Sequence, residues 1–304
     1  MKKLSTGFYA LVLLGMVFLA EACQSSKSAS ASKMLRFDLA AGKGYDYEML
    51  ISLDQEMMGQ KIEIDMSNYY SMEVKADDGN QKTIETILER LKAKTVVAGM
   101  AIEIDTDETA SYDSTDFKKD PITAIKALFS SMKGQLFVMK VDREGKIREV
   151  SGFKSMGENL AQKLGLEGES RATMMKSFDE QFNEQEMANN FDRFWYVFPN
   201  KEVKLGDSWT KRNETSGKMP AIYHSTYKVT DIEGDMVTLE ETTQISGKEG
   251  EIMSFTGTIS GTVVVDSRSG LMVNSDQDMN MKTTAGGSSF EIIGKSKIKG
   301  KARE

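Results

Sequence analysis

The stretch KIEIDMSNYYSMEVKADDGN, residues 61–80, decides which fold the chain adopts. Apolar side chains such as Ile62 and Ile64 alternate with polar ones, and the stretch ends in an Asp78-Gly79 turn. Alternation with period two indicates a strand with one buried face, and a glycine-containing gap between two such runs indicates a hairpin. These residues therefore predict antiparallel β-structure.

The same pattern continues on both sides of this stretch. Upstream, Leu35, Phe37 and Leu39 alternate with polar residues. Downstream, the charges of KTIETILERLKAKTVV (82–97) suit a helix, but its β-branched residues and the preceding turn favour a strand. Residues 135–152 predict a further hairpin, and strands resume at Val203 and continue almost to the end of the chain.

Two segments carry helical patterns instead. Asp120-Pro121 begins a predicted helix over about 121–133, with Asp as N-cap and Pro in the first turn. A longer helical segment is predicted over about 155–196, opened by a capping box of Ser155 and Glu158. The predicted fold class is mainly β (α+β), a curved antiparallel sheet or half-barrel with helices covering one face.

A faint internal repeat is consistent with two similar β units. SMEVKADDGNQKTIE (71–85) aligns without gaps on TYKVTDIEGDMVTLE (226–240), and VDREGKI has a counterpart in VVVDSRSGLM. Strand-turn-strand patterns also recur by chance, so duplication and coincidence both remain open. The predicted organisation is a signal peptide (1–22), a lipidated tether (23–34), an N-terminal β unit (35–153), a helical segment (154–198) and a C-terminal β unit (199–304).

The beginning of the chain resembles a bacterial lipoprotein signal. Lys2 and Lys3 precede an apolar run over residues 8–20, which is shorter than the ~20 residues that cross a bilayer as a helix. Small residues then lead to Cys23, the only cysteine in the chain. The resemblance implies cleavage before Cys23 and acylation of its thiol and amino group. We therefore expect an outer-membrane lipoprotein, and the lack of an acidic run after Cys23 favours the periplasmic side.

The body of the chain resembles uncharacterised envelope lipoproteins of Bacteroides-type bacteria. The motifs that carry this resemblance are MGQK (58–61), VDREGKI (141–147), FPNKEVKLGDSW (198–209) and GTVVVDSRSGLM (261–272). They are turns and buried aromatics, so the resemblance implies a compartment and a fold but no activity.

Composition argues against several classes of chemistry. A net charge of −7 disfavours nucleic-acid binding. A single cysteine and a single histidine, His224, leave no disulfide and argue against a zinc or transition-metal site, so no cofactor is expected. The acidic run 105–116 lacks the glycine of a calcium loop. Within it, Asp113-Ser114-Thr115 resembles a short O-glycosylation acceptor, with Ser114 as the modified residue.

One apolar stripe in the helical segment is the candidate ligand site. Its residues either pack as core or also line a cavity between helices and sheet, where Met and aromatic side chains suit a lipid-like ligand. The members are Met174, Met175, Phe178, Phe182, Phe191, Phe194 and Trp195.

The expected function is therefore not enzymatic. The first hypothesis is a lipid-anchored protein that binds or carries an apolar or lipid-like ligand. The second is a structural or partner-binding envelope protein without a small ligand. The third, a hydrolase with two facing carboxylates, is less favoured, because strand faces use Asp and Glu anyway.

Overall fold

The alternating segments pair into one large sheet. The computed structural model describes residues 32–57, 59–97, 99–108, 126, 129–215, 220–248, 253–285 and 288–304. The strands are β1 (Lys33–Leu35), β2 (Gly44–Met57), β3 (Gln60–Asp77), β4 (Gln81–Val97), β5 (Met100–Asp105), β6 (Leu136–Asp142), β7 (Ile147–Ser151), β8 (Lys201–Val203), β9 (Ser208–Thr215), β10 (Ala221–Glu233), β11 (Met236–Gly247), β12 (Met253–Asp266), β13 (Leu271–Ala285) and β14 (Ser288–Ala302).

Twelve of these described strands form a single antiparallel sheet that does not close. The order is β7-β6-β4-β3-β2-β14-β13-β12-β11-β10-β9, β5 pairs with the second half of β4, and β1 and β8 form a separate pair. The first and last long strands meet at the centre, where Tyr47 of β2 lies opposite Gly300 of β14. The predicted mainly β, antiparallel fold is confirmed. Strands β2 to β7 lie on one side of the β2-β14 pairing and strands β9 to β13 on the other, in one sheet.

The segment 82–97 is a strand, as its β-branched residues predicted. It pairs with β3 along nearly its whole length and shares its other edge between β6 and β5. Charged residues such as Lys92 and Lys94 are exposed, whereas the apolar Ile84 and Leu88 are buried. The two-residue period therefore predicted the strand correctly, although the high charge content suited a helix.

The predicted repeat has counterparts in the structure. Val74 and Val229 are both fully buried, and each is followed by a register shift, between Val74 and Ala76 and between Val229 and Asp231. The neighbour order β3-β4-β6-β7 in one half parallels β10-β11-β12-β13 in the other. The two matched stretches thus form hairpins with bulges at matching positions.

Three described helices follow β7: α1 (Phe153–Lys163), α2 (Gly168–Phe182) and α3 (Glu184–Trp195). The capping box predicted for Ser155 and Glu158 is wrong, because α1 begins at Phe153 after Gly152 and has no side-chain cap. Residues 126 and 129–132 are also helical, within the predicted helix at 121–133, and the rest of that segment before residue 129 lies outside the described residues. No helix in the described ranges is long and apolar enough to cross a membrane.

Helix α3 contacts both edges of the sheet and its centre. Its Asp192 accepts a hydrogen bond from the backbone N–H of Ile147 on edge strand β7, at 2.6 Å. Its Asn189 carbonyl accepts one from the Asn213 amide on edge strand β9, at 3.0 Å. The Trp195 ring lies 5.8 Å from Tyr47 on the central strand β2. A single helix can reach all three places only if the sheet curves around it, so α3 lies in the concave face.

Aromatic side chains fill the space between α3 and the centre of the sheet. Trp195 lies 6.3 Å from Phe37 and 5.8 Å from Phe191, measured between ring centroids, and Phe198 lies 5.9 Å from Phe37. All four side chains are buried. Aromatic pairs at these separations stabilise the fold beyond the effect of their buried area. This cluster therefore holds α3 against the sheet.

Candidate functional site

A cavity of about 190 Å³ lies between the C-terminal end of α3 and the concave face of the sheet. Its walls and floor come from β2 and from strands β9 to β14, so it occupies the side of the concave face that belongs to the C-terminal half of the chain. The apolar lining residues are Ile51, Leu53, Phe194, Tyr223, Ile259, Met279 and Met281, and the polar ones include Ser225, Tyr227, Glu241, Thr243, Gln277 and Ser296.

The polar lining residues form one hydrogen-bonded network centred on Glu241. Gln277 Nε2 donates to one carboxylate oxygen at 2.6 Å, and Thr243 Oγ1 donates to the other at 2.9 Å. Tyr227 also bonds to this carboxylate, and Ser296 Oγ donates to Gln277 Oε1 at 2.9 Å. The network therefore joins side chains of the four strands β10, β11, β13 and β14.

Gly261 makes the central bond of this network possible. It lies on β12 directly between Glu241 on β11 and Gln277 on β13 in the strand register. A Cβ atom at this position would lie 2.1 Å from the Asp276 carbonyl oxygen and 2.8 Å from Gln277 Cα. Because glycine has no side chain, Gln277 can reach across β12 to the carboxylate. Glycine in a strand often marks such a close approach.

The network lies between two apolar regions of the concave face. Along β11 the inward side chains are Leu239, Glu241, Thr243 and Ile245, in that order. Leu239 belongs to the core beneath the helices, and Ile245 belongs to a second apolar cluster with Ile259 and Met279. The cavity thus has a polar layer at one end and apolar walls at the other.

Glu241 is a buried carboxyl group whose protonation depends on these surroundings. Its exposed fraction is 3%. Burial raises its pKa above the usual value for glutamate, and the hydrogen bonds from Thr243, Gln277 and Tyr227 oppose that rise. The positive charge of Arg193 on α3 opposes it as well. Within the described part of the chain Glu241 forms no ion pair.

Two cations line the same cavity. The Arg193 guanidinium lies 4.6 Å from the ring centroid of Tyr223, a cation–π contact with an apolar wall residue. Lys211 pairs with Glu144, lies 4.1 Å from the Tyr196 ring centroid, and has a side chain only 8% exposed. Burial lowers the pKa of Lys211. Lys211 thus already has a carboxylate partner.

Asp192 lines the cavity and also bonds to the edge strand β7. Its carboxylate accepts the Ile147 backbone N–H, and its exposed fraction is 5%. Burial raises the pKa of Asp192 to about 7, and the hydrogen bond from Ile147 opposes the rise. The charge of this residue therefore changes near neutral pH at the contact that holds α3 to β7.

The structure places one of the seven predicted ligand-binding residues in the wall of this cavity, Phe194. Phe178, Phe191 and Trp195 are buried in the main core. The remaining three are half-buried, and two of them, Met174 and Phe182, pack against that core. Cys23 and Ser114 lie outside the described residues.

His224 lies on the opposite face of the sheet from the cavity. It is exposed on β10, opposite Arg212 on one neighbour and Gln244 on the other. In the described ranges, no three His, Cys, Asp or Glu side chains are placed to hold a metal ion.

The network was not predicted from the sequence, although the sequence carries a signal for it. In MVTLEETTQISG, residues 236–247, the apolar phase runs through Val237, Leu239 and Ile245. Glu241 and Thr243 occupy that same phase, where a strand buried on one face normally carries apolar residues. Polar residues in the apolar phase of a strand were the available clue.

One protein-family model matches more than half of the chain. The chain belongs to a family of unknown function (DUF6263). The family model matches residues 79–272, which include β4 to β12 and the helical segment. The family's description names no activity. No curated protein matches the chain.

Two solved structures are similar to the chain at low sequence identity. One is described as "Lipid-protein interactions in lipovitellin", with 9% identity and a TM-score of 0.48 over 88% of this chain and 26% of that one. The other is the translocator domain of autotransporter NalP from Neisseria meningitidis, with 5% identity and a TM-score of 0.26 over 95% of each chain. The chain thus spans about a quarter of the length of the lipovitellin structure.

Proposed function

We propose that the protein is a lipid-anchored protein of the cell envelope that binds an apolar or lipid-like ligand without catalysing a reaction. The observation that carries the proposal is the cavity between α3 and the sheet, with apolar walls and several convergent polar groups. Ligand sites are typically concave, largely apolar and equipped with a few placed polar groups.

The size of the cavity limits what it encloses. Its volume of about 190 Å³ is below the ~300–1,000 Å³ of sites that enclose a whole drug-sized ligand. It is slightly larger than a dry engineered cavity of ~150 Å³ that binds benzene. The site therefore suits one part of a ligand, such as the first carbons of an acyl chain with the group they carry.

The anchor and the compartment are part of the same proposal. The pattern around Cys23 supports acylation there, and only nine residues, 24–32, lie between Cys23 and Lys33, where β1 begins. Such an anchor would hold the sheet close to a membrane. We place the protein at the outer membrane, on the periplasmic side, where it would meet lipid-like ligands or envelope proteins.

A structural or partner-binding role is the second candidate. The observation that favours it is the burial of Phe178, Phe191 and Trp195 in a filled core, since these residues then need no ligand. The two candidates differ in whether the cavity accepts a molecule.

Binding of an uncharged fluorescent probe tests the proposal. The full chain carrying Cys23→Ser, which has no thiol to acylate, would be titrated with N-phenyl-1-naphthylamine without detergent. We expect a saturable rise in fluorescence. Met281→Trp places a larger side chain in the cavity from its wall. It should weaken binding about tenfold or more, equivalent to ~1.4 kcal/mol.

The matched control is Asn280→Trp, which places the same side chain on the exposed opposite face of the same strand. This variant should bind the probe with the same affinity as the Cys23→Ser chain. A titration without saturable binding would reject the ligand-binding proposal and favour the structural role.

A further inference from the structure

Glu241 has capacity to accept one more hydrogen bond than the described residues supply. An ionised carboxylate offers about four acceptor positions. Thr243, Gln277 and Tyr227 occupy three of them. Because Glu241 also lines the cavity, a ligand can occupy the fourth.

The charge of Glu241 is also not balanced by a direct partner. Buried charges are normally paired, because an isolated ion loses its hydration without compensation. Among the described residues, the three donors to Glu241 are neutral side chains, and the nearby cation Lys211 is paired with Glu144 instead. Arg193 acts on Glu241 through its positive charge without forming an ion pair with it. A donor or cation on the ligand would complete this carboxylate.

The position of the network fixes the orientation of such a ligand. Along β11 the polar pair Glu241 and Thr243 lies between the core residue Leu239 and the apolar cluster around Ile245. The cavity walls Ile259 and Met279 belong to that apolar cluster. A ligand with its polar end at Glu241 therefore lies with its apolar part along these walls.

We propose that the cavity selects amphiphiles whose head group donates hydrogen bonds to Glu241, an ammonium or a hydroxyl group, over those with a carboxylate or phosphate head. This inference rests on the proposed ligand-binding function. An anionic head would meet the Glu241 carboxylate at short range in a poorly hydrated site, where like charges repel strongly. The competing arrangement is an anion held by Arg193, which lies over Tyr223 in the apolar wall.

Displacement by three molecules with the same alkyl chain tests the selection. Dodecylamine, dodecanol and dodecanoate, each below its aggregation concentration, would displace N-phenyl-1-naphthylamine from the Cys23→Ser chain at pH 7. We expect the amine, the alcohol or both to displace the probe at concentrations at least about tenfold lower than dodecanoate. The order of amine and alcohol then tells whether charge or hydrogen bonding dominates at Glu241.

Two matched substitutions assign the effect to the carboxylate. Glu241→Gln should reduce the preference over dodecanoate to about threefold or less. Glu240→Gln removes the neighbouring carboxylate on the exposed face of the same strand and should leave the preference unchanged. Circular dichroism would establish that both variants are folded.

Each contrary outcome is distinct. If the probe binds but dodecanoate displaces it best, the head-group inference is overturned while ligand binding stands. Loss of that preference in Arg193→Gln would assign the anionic head to Arg193. An unchanged preference in folded Glu241→Gln also overturns the head-group inference. If Glu241→Gln does not fold, the ranking of the three molecules on the unaltered cavity decides the question. Absence of probe binding would instead reject the proposed function itself.

Discussion

The concave face of the sheet has two regions that share one alternation pattern but differ in what covers them. In one region, inward side chains such as Tyr47 on β2 meet Trp195 and the rest of the aromatic cluster on α3. In the other, inward side chains such as Glu241 and Met281 face a cavity. The difference shows that the two-residue period determines which side chains point inward, whereas the reach of α3 determines which of them are packed.

The two regions also differ in the kind of contact that organises them. The filled region depends on ring packing, with centroids 5.8 to 6.3 Å apart around Trp195. The cavity region depends on hydrogen bonds between strands, centred on Glu241. Packing is lost when volume is removed, whereas a hydrogen-bonded network is lost when its geometry shifts. Three predictions would sharpen or break this comparison.

The largest expected effect is on the filled region. Trp195→Ala should lower the free energy of unfolding by about 3–5 kcal/mol, because it leaves a void among buried rings. Met281→Ala in the half-buried cavity wall should cost about half of that or less, because the removed atoms already border empty space. Urea unfolding monitored by circular dichroism would measure both. Equal losses would mean that the two regions are packed alike.

The next effect concerns the contact between α3 and β7 and depends on pH. The folded-state pKa of Asp192 is raised to about 7 by burial, above the ordinary value of ~3.9 for an unfolded chain. The stability that this group contributes is therefore complete below pH ~4 and is lost as pH rises through 7. Asp192→Asn keeps an acceptor for Ile147 and removes the charge.

The advantage of Asp192→Asn over the unaltered chain should grow between pH 4 and pH 7. The expected gain in unfolding free energy is on the order of 3 kcal/mol across this range, from the difference between the two pKa values. Urea unfolding of both chains at pH 4, 5, 6, 7 and 8 would measure it. Parallel stability curves would show that Asp192 does not titrate in this range.

The smallest expected effect is on the network. Gly261→Ala places a methyl group 2.1 Å from the Asp276 carbonyl oxygen, which requires β12 and β13 to move apart. Overpacking of this kind costs about 1–3 kcal/mol. Ser260→Ala, on the exposed face of the same strand, should change stability by no more than about 0.5 kcal/mol. Thermal unfolding would compare the two, and equal midpoints would mean that the strands accommodate the methyl group.

Local patterns predicted the elements of the fold more reliably than their ends. The segment 82–97 was recognised as a strand from β-branched residues, and the aligned stretches 71–85 and 226–240 form hairpins with bulges after Val74 and Val229. The capping box at Ser155 was wrong because α1 begins two residues earlier, at Phe153. The first residue of α1 depends on how the chain leaves β7, and a four-residue motif does not encode that path.

The candidate site was predicted less well. The apolar stripe on the helices pointed to the concave face, and Phe194 does line the cavity. The sequence pattern treats all seven stripe residues alike, but packing divides them, since Trp195 contacts Tyr47 and Phe37. Which member of an apolar helical face borders a cavity depends on partners that are distant in the sequence.

By itself, the sequence determined that this protein is mostly antiparallel β-structure, because alternation and turn residues act over a few positions and require no distant partner. Only the tertiary structure decided that β2 pairs with β14, that α3 lies between the two edges of the curved sheet, and that a cavity remains beside it. The hydrogen bond between Glu241 and Gln277, across Gly261, was also decided only by the tertiary structure. Side chains 36 positions apart meet there because three strands align in register, and that alignment is a property of the whole sheet.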